Sequence, residues 1–345
     1  MKQDVTLKDV AKKAGVSINT VSRALNGTNR EVWPCIAKRA DEIRRIANDM
    51  GYRPNAAARA MRTAKLKHVA VVMGGAYAAP WEYPVIMGIN ERLHDAGYAL
   101  SVVSAVETGS RDATDAVVLK ERFLAGALVM HVPAALREHV TSSLEHCVHV
   151  DSNIRTKDGC IYRDERHAGA VCANELIDLG YKRIMYLGHE PWDDCHIHVQ
   201  DRLEGVRDAA RKRRAEFVEI LLAFRPADLR EAAKEAIGAV TPSTAVVAVG
   251  QDIAEWFSHA MAHEGLCPGR DVALASVSEG FNCRSIWPGL SRVGFDRVGL
   301  GRQAADMMLS LLEGKKKRVK SVAIRGEWIA GDTALARVRV KGKKR

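Results

Sequence analysis

The pattern of apolar and polar positions divides the chain into two regions. In the first fifty residues, apolar side chains recur every three or four positions, which is the period of an α-helix. The spacing predicts three helices, the third with Pro34 in its first turn and Gly51 at its end. Their apolar faces consist of Val10, Ala11 and Ala14, then of Val21, Ala24 and Leu25, and then of Ile36, Ala40, Ile43, Ala47 and Met50.

The residues around the first two helices predict a helix-turn-helix. Thr6 followed by Asp9 is typical of a helix start, in which a hydroxyl and an acid satisfy free backbone N–H groups. Gly15 has no Cβ and therefore suits the left-handed residue of a tight turn, and Ser17 can cap the second helix. The side chains that this second helix turns outward are then Ile18, Asn19, Thr20, Ser22 and Arg23.

From about His68 the pattern changes to short apolar runs separated by helical stretches. This alternation is typical of parallel sheets covered by helices on both faces. The predicted fold class is therefore α/β, preceded by an all-α head, and ligands of such sheets bind beyond the carboxyl ends of the strands. The apolar runs cover 69–73, 99–104, 126–130, 183–188, 244–250 and 272–277, and the helical stretches cover 85–96, 167–179 and 253–263.

Charge is concentrated at the start of the chain. The 345 residues carry a formal charge of +10, and residues 1–67 hold 15 Lys and Arg against 6 Asp and Glu, a net of +9. Concentrated positive charge indicates binding to nucleic-acid phosphates, although a solvated basic surface is the alternative.

Other features of the composition bear on the compartment. No run of about 18 apolar residues is present, so we expect no membrane span. The first residues are charged rather than apolar, so we expect no signal peptide and a cytoplasmic protein. The seven cysteines have no CxxC spacing and are interpreted as free thiols.

The outward side chains of the second helix suit a DNA groove. Asn19 can pair bidentately with adenine, Arg23 can pair with guanine, and Ile18 can touch a thymine methyl group. Threonine and serine hydroxyls more often bond to phosphates.

Two motifs at the start carry a family resemblance. The segment TLKDVAKKAGVSINTVSRALNG, followed by GYRPNAAARAMR, resembles the lac-repressor/galactose-repressor family of bacterial regulators. The resemblance implies a hinge over Asn55 to Arg62 that folds on DNA, with Met61 as the residue that wedges into the minor groove. The alternative is that NAAARAMR is simply a good helix former. The DNA-binding residues implied are Thr6, Ser17, Ile18, Asn19, Thr20, Ser22, Arg23, Asn26, Tyr52, Asn55, Ala58 and Met61.

The same resemblance, looser beyond the head, implies the domain organisation. A helix-turn-helix domain covers 1–51, a hinge 52–67, a two-lobed effector-binding and dimerisation core 68–338, and a basic tail 339–345. Lobe one is expected over 68–163 and 292–318, and lobe two over 164–291 and 319–338. The chain would thus cross between the lobes near Asp164, Ser291 and Val319.

The effector is expected between the lobes. Arg202, in the motif DRLEG, would hold a hydroxyl or carboxylate with its planar fork, although a helix-start salt bridge is the alternative. Val277-Ser278-Glu279-Gly280 replaces the family's Gly-Phe-Asp-Asp, so ligand chemistry cannot be transferred from a relative. Several aromatic rings at implied cleft positions favour a sugar. The complete set of expected effector residues is Trp81, Tyr83, Asp164, Trp192, Arg202, Phe224, Gln251, Ser278 and Glu279.

These observations favour a sequence-specific transcription regulator over other classes. We expect a homodimer on a pseudo-palindromic operator, most simply a repressor of carbohydrate genes, with no cofactor, no metal and no membrane partner. A transport component is the first alternative, but the head argues against it. A sugar-acting enzyme is the second, but no Walker loop, G-x-S-x-G or zinc signature is present.

Overall fold

The chain forms two units, a head of residues 1–65 and a larger unit of residues 66–345. The computed structural model describes residues 5–26, 34–52, 66–74, 82–105, 124–132, 141–142, 144–190, 197–222, 229–278 and 289–337. No helix within these ranges has the length and apolar character needed to cross a bilayer.

The described part of the head contains three helices: α1 (Leu7–Ala14), α2 (Ile18–Asn26) and α3 (Pro34–Asp49). Thr6 and Asp9 cap α1 reciprocally, and Gly15 ends it at a φ of 63°, in the left-handed region. These features were predicted from the sequence. The buried core consists of Val10, Ala11, Val21, Ala24, Ala40, Ile43 and Ala47, with Leu25 and Met50 packed against it.

One predicted core position of the head is wrong. Ile36 is 44% exposed, although it continues the apolar stripe of α3. It lies in the first turn of α3, one turn before the first buried residue of that helix, Ala40. Periodicity identifies the face of a helix but not how far along it a neighbour covers that face.

The larger unit alternates strands and helices, as predicted. All six predicted apolar runs are strands, and all three predicted helical stretches are helices. The strands are β1 (His68–Gly74), β2 (Ala99–Ala105), β3 (Gly126–Met130), β4 (Cys147–Val150), β5 (Cys160–Arg163), β6 (Arg183–His189), β7 (Glu216–Leu222), β8 (Thr244–Ala248), β9 (Ala273–Ser276), β10 (Ser291–Gly294), β11 (Val322–Ile324) and β12 (Glu327–Ile329). The described helices are α4 (Tyr83–Asp95), α5 (Glu165–Asp178), α6 (Ile197–Lys212), α7 (Leu229–Gly238), α8 (Gln251–His263) and α9 (Arg297–Leu312).

Two six-stranded sheets define two lobes. The first lobe has the strand order β11-β5-β4-β3-β1-β2, and the second has β12-β10-β9-β8-β6-β7. Both sheets are parallel except for β12, which pairs antiparallel with β10. The central strands are buried along their length, which explains why they are continuous apolar runs in the sequence.

The chain changes sheet three times. The first change follows β5, where Asp164 precedes α5. The second and third follow β10 and β11, a few residues later than the positions predicted at Ser291 and Val319. The predicted lobe boundaries are therefore corrected: β10 pairs with β9 in the second sheet, and β11 pairs with β5 in the first. Hydrogen-bond partners decide which sheet a short strand joins, and the apolar pattern does not specify them.

Paired glycines bring helices close together in each lobe. A Cβ on Gly169 of α5 would lie 2.3 Å from the Arg202 carbonyl oxygen, and one on Gly205 of α6 would lie 2.1 Å from the Arg166 carbonyl oxygen. Gly88 of α4 and Gly301 of α9 make the corresponding close crossing in the first lobe. Backbone approach this close excludes any side chain at these four positions.

Candidate functional site

The second helix of the head is anchored at its start by a hydroxyl cap. The Ser17 Oγ accepts a hydrogen bond from the Thr20 backbone N–H at 3.2 Å, as predicted. Val21 and Ala24 bury one side of α2 against α1 and α3. The opposite side carries the exposed side chains of Ile18, Asn19, Thr20 and Arg23.

Ser22 does not belong to that exposed face. It is 9% exposed, which corrects the prediction that α2 turns it outward. Successive residues of a helix are about 100° apart, so Ser22 lies at the border of the buried stripe formed by Val21 and Leu25. Tyr52, another predicted DNA-binding residue, is half-buried and packs against the hydrophobic core of the head.

A side chain of α3 holds the end of α2. The Arg44 Nε donates to the Ala24 carbonyl oxygen at 3.0 Å, and its Nη1 bonds the Asp41 carboxylate at 2.7 Å. Carbonyls in the last turn of a helix lack an intrahelical partner, so a cation there completes the bonding. Arg44 of α3 therefore fixes the end of α2, a role that the sequence pattern does not reveal.

Several expected site residues lie outside the described residues. They are Asn55, Ala58 and Met61 of the expected hinge and Trp81, Trp192, Phe224 and Glu279 of the expected effector site; the side chain of Asn26 also belongs to this group.

In the larger unit, Arg202 lies on α6 with its guanidinium buried against α5. Its Nε and Nη2 bond the two carboxylate oxygens of Glu165 at 2.9 and 2.8 Å, and its Nη1 donates to the Val249 carbonyl oxygen at 2.7 Å. Both side chains are almost fully buried, at 5% and 1% exposure. A bidentate arginine–carboxylate pair of this kind has a fixed orientation.

Two further ion pairs connect Glu165 to the first lobe, through Arg163 and Asp151. The Arg163 Nη1 lies 2.6 Å from Glu165, and its Nε lies 2.6 Å from the Asp151 carboxylate. Burial alone would raise the pKa of Glu165, but Arg163 and Arg202 outweigh it and hold that pKa below its ordinary value. The result is a buried ionic chain that links the end of β5 to the second lobe. Sequence reasoning assigned no role to Asp151 or Arg163.

Other predicted residues lie at the carboxyl ends of strands. The Asp164 carboxylate caps α5 by accepting from the His167 N–H at 3.1 Å. Gln251 begins α8 directly after β8 and bonds Glu255. Ser278 follows β9, and its hydroxyl accepts from the Arg297 Nη2 at 3.4 Å.

Arg297 begins α9 of the first lobe, so its contact with Ser278 joins the two lobes. Tyr83, by contrast, is 59% exposed at the start of α4. Arg202 thus bonds Glu165, which follows Asp164, and Val249, which lies two residues before Gln251. Tyr83 is open to solvent.

A buried histidine in the first lobe was missed by sequence reasoning. The His131 Nε2 lies 3.2 Å from the Glu82 carboxylate, and both side chains are almost fully buried. His131 follows β3 with a φ of 46°, which is rare for a residue with a Cβ. Burial first, and then the charges of Arg163 and Arg297, hold the pKa of His131 below its ordinary value, although Asp151 opposes them.

Comparison with known proteins identifies both parts of this arrangement. Residues 6–55 match the family described as bacterial regulatory proteins, lacI family, and residues 173–334 match the periplasmic binding protein-like domain. The chain belongs to the lacI family. It is therefore a DNA-binding transcription regulator, and its relatives are regulators rather than enzymes.

The relatives cover almost the whole chain. The HTH-type transcriptional regulator GalR of Escherichia coli is 25% identical over 328 residues, which are 90% of this chain and 90% of that protein. The lac repressor dimer bound to operator and the anti-inducer ONPF has a TM-score of 0.76 at 20% identity, covering 97% of this chain and 100% of the other. The transcriptional regulator CelR–cellobiose complex has a TM-score of 0.66 at 19% identity, covering 95% and 99%. This lacI-family chain therefore has the lac repressor fold.

Proposed function

We propose that this chain is an effector-controlled repressor of carbohydrate genes that works in the cytoplasm. In this proposal a homodimer binds a pseudo-palindromic operator through its two heads, and a sugar binds between the lobes of each subunit. The observation that carries it is the capped recognition helix α2, whose exposed Ile18, Asn19, Thr20 and Arg23 match base and phosphate chemistry within a lacI-family head.

The effector site is supported by the polar groups at the carboxyl ends of strands. Asp164, Arg202, Gln251 and Ser278 each follow a strand or lie on the helix after one, where ligands of parallel sheets bind. Arg163 and Arg297 connect the lobes through buried polar contacts, so a ligand that moves the lobes also moves these side chains. A sugar is favoured because the regulator CelR, with the same fold, binds cellobiose.

The homodimer is supported by an apolar surface on the first lobe. Tyr83 and Met87 stand one turn apart on α4, at 59% and 39% exposure, and Val102 of the edge strand β2 is 56% exposed. Large apolar side chains exposed together are typical of protein interfaces. The lac repressor in its operator complex is a dimer as well.

Selection of duplexes from a random-sequence pool by the full chain tests the DNA-binding part. We expect a pseudo-palindromic operator to emerge, with Arg23→Ala losing the preference for it while retaining salt-sensitive binding to any duplex. Lys13→Ala, an exposed change on α1, is the control and should keep the preference. Unchanged preference in Arg23→Ala would contradict the assigned readout.

Thermal unfolding against a panel of neutral sugars, sugar acids and nucleosides tests the effector part. A ligand at 100 times its Kd that binds only the folded protein stabilises it by about 2.7 kcal/mol. We expect one sugar to raise the Tm, and Gln251→Ala to reduce that rise. Gln200→Ala, an exposed position on α6, should leave it intact. Comparing operator affinity with and without the ligand then shows whether it releases the protein or promotes binding.

A further inference from the structure

The amino edge of the first sheet carries a cluster of unpaired cations. The turn after α9 reads Gly314-Lys-Lys-Lys-Arg-Val-Lys320, and no acid occurs in the chain between Glu313 and Glu327. Lys315 pairs with Glu313 at 2.5 Å. Among the described residues, the other basic side chains of this turn have no acidic partner within ion-pair distance. We name the basic patch as Lys67, Lys157, Lys316, Lys317, Arg318 and Lys320, all of which are exposed.

Backbone contacts bring the members of the basic patch to one edge. The backbones of Lys320 and Asp158 form an isolated antiparallel β-bridge, and the Ser321 N–H donates to the Lys157 carbonyl oxygen. The turn therefore lies beside the segment that leads into β5. Lys67 immediately precedes β1. Its ammonium lies over the Tyr98 ring, and its charge, after those of Lys315 and Arg92, helps to hold the pKa of Glu313 below its ordinary value.

Acidic groups at this edge do not cancel the charge. Lys317 and Arg318 line a groove of about 280 Å³ that also contains Glu145 and Asp158. Glu313 already forms an ion pair with Lys315. Among the described residues, this groove is thus lined by two cations and two acids, and the other four cations of the basic patch lie outside its lining.

The second lobe provides a contrast. The amino edge of its sheet is also basic, with Lys182 before β6 and Arg211 to Arg214 before β7. There, however, Arg211 pairs with Asp208 at 2.8 Å and Arg213 pairs with Asp178 at 2.5 Å. Half of the four-residue basic run is thus neutralised within the lobe. The second lobe thus pairs two of these cations with its own acids, whereas among the described residues of the turn after α9 only Lys315 is paired.

Chain connectivity places the basic patch next to the start of the larger unit. The larger unit begins at Leu66, and Lys67 is its second residue. The segment that leads from the DNA-binding head therefore joins the larger unit at this edge. We propose that the basic patch is a second DNA-contacting surface, which binds backbone phosphates of the duplex held by the head and adds affinity without reading sequence. This inference rests on DNA binding by the head.

The salt dependence of binding tests the proposal. The affinity of the full-length triple variant Lys316→Gln, Lys317→Gln, Arg318→Gln for a long duplex carrying the selected operator is measured by fluorescence anisotropy from 50 to 200 mM salt. Each phosphate contact contributes about −0.9 to the slope of log K against log salt concentration. If a dimer loses one contact per subunit, the slope becomes shallower by about 2. Over this range the wild-type affinity then falls about tenfold more than that of the variant.

A charge-matched variant of the second lobe is the control. Lys182→Gln, Lys212→Gln, Arg214→Gln removes three exposed cations from the other amino edge, and we expect it to keep the wild-type slope. The patch variant should weaken operator and non-operator duplexes by the same factor, whereas Arg23→Ala should weaken the operator alone.

Three results would overturn the proposal. The first is a wild-type slope in the patch variant with unchanged thermal unfolding, and the second is an equal change in both triple variants, which would indicate only net charge. The third is a wild-type chain that binds no duplex at any salt concentration, which would refute DNA binding by the head together with the basic patch.

Discussion

Arg202 and Glu165 form a bidentate ion pair between α6 and α5, with N–O distances of 2.9 and 2.8 Å. The Val249 carbonyl oxygen accepts a third guanidinium hydrogen bond, so Arg202 is held both by α5 and by the segment after β8. An arginine held in this way presents its remaining N–H groups in a fixed direction, which lowers the entropic cost of binding a ligand oxygen. Glu165 therefore positions Arg202 as well as neutralising it.

The first prediction concerns this acid. Glu165→Gln keeps the shape of the side chain but removes the carboxylate that Arg163 and Arg202 share, while Asp151 stays paired with Arg163. Because breaking a buried ion pair from one side leaves an uncompensated charge, we expect the free energy of unfolding of the two-lobed unit to fall by about 3 kcal/mol. Urea denaturation at pH 7 measures it.

The pH dependence and a surface control sharpen this prediction. The folded-state pKa of Glu165 lies below its ordinary value of 4.5, so its stabilisation is present above that pH and is lost as pH falls through the folded-state pKa. The difference between wild type and Glu165→Gln should therefore shrink below pH 4.5. Glu204→Gln, which breaks an exposed pair with Arg166, should cost less than about 1 kcal/mol. A cost as large as that of Glu165→Gln would contradict the assigned importance of burial.

The sequence predicted the helices and strands more accurately than the distant residues with which they pack or pair. Local signals such as the Thr6 and Ser17 caps, Gly15 and the buried strand runs depend on neighbours along the chain, and the structure contains all of them. The burial of Ser22 and the sheet that β11 joins depend on distant residues, and periodicity carries no information about those.

The same limit applies to the candidate site. Arg202 was selected as a ligand-binding residue by its motif, but its pairing with Glu165 and the ionic chain through Arg163 to Asp151 connect positions far apart in sequence. Only the fold brings these positions together. His131 and Glu82 were missed for the same reason, since neither belongs to a recognisable motif.

The second prediction concerns His131. Its folded-state pKa lies below the ordinary value of 6.5, so the unfolded chain binds the proton more readily. Stability should therefore decrease as pH falls below 6.5, until the folded-state pKa is passed. His131→Asn, which tolerates the positive φ, should flatten the dependence of Tm on pH in this range. His263→Asn, at an exposed position, is the control and should leave the dependence as it is in the wild type. An unaltered profile in His131→Asn would show that another group is responsible.

The third prediction concerns the apolar surface of the first lobe. Met87→Asp adds a charge beside Tyr83 on α4, and desolvating an unpaired charge opposes association. We expect the Kd of the dimer to rise at least tenfold, measured by sedimentation equilibrium. Leu335→Asp changes another exposed apolar residue, 52% exposed and away from α4, and should leave the Kd unchanged. Equal effects of the two variants would argue against α4 as the interface.

The fourth prediction concerns the close approach of α5 and α6. The added methyl group of Gly205→Ala would lie 2.1 Å from the Arg166 carbonyl oxygen, so the two helices must separate. Overpacking of this kind costs about 1–3 kcal/mol. Arg202 lies one turn before Gly205, so the separation should also pull its guanidinium away from Glu165 on α5 and weaken effector binding. Gly238→Ala is the matched control, because nothing lies within 4 Å of its added methyl group and alanine favours a helix. Urea midpoints and the ligand-induced rise in Tm measure both effects. Equal midpoints for the two variants would mean that the helices are free to move apart and that their spacing does not hold Arg202 in place.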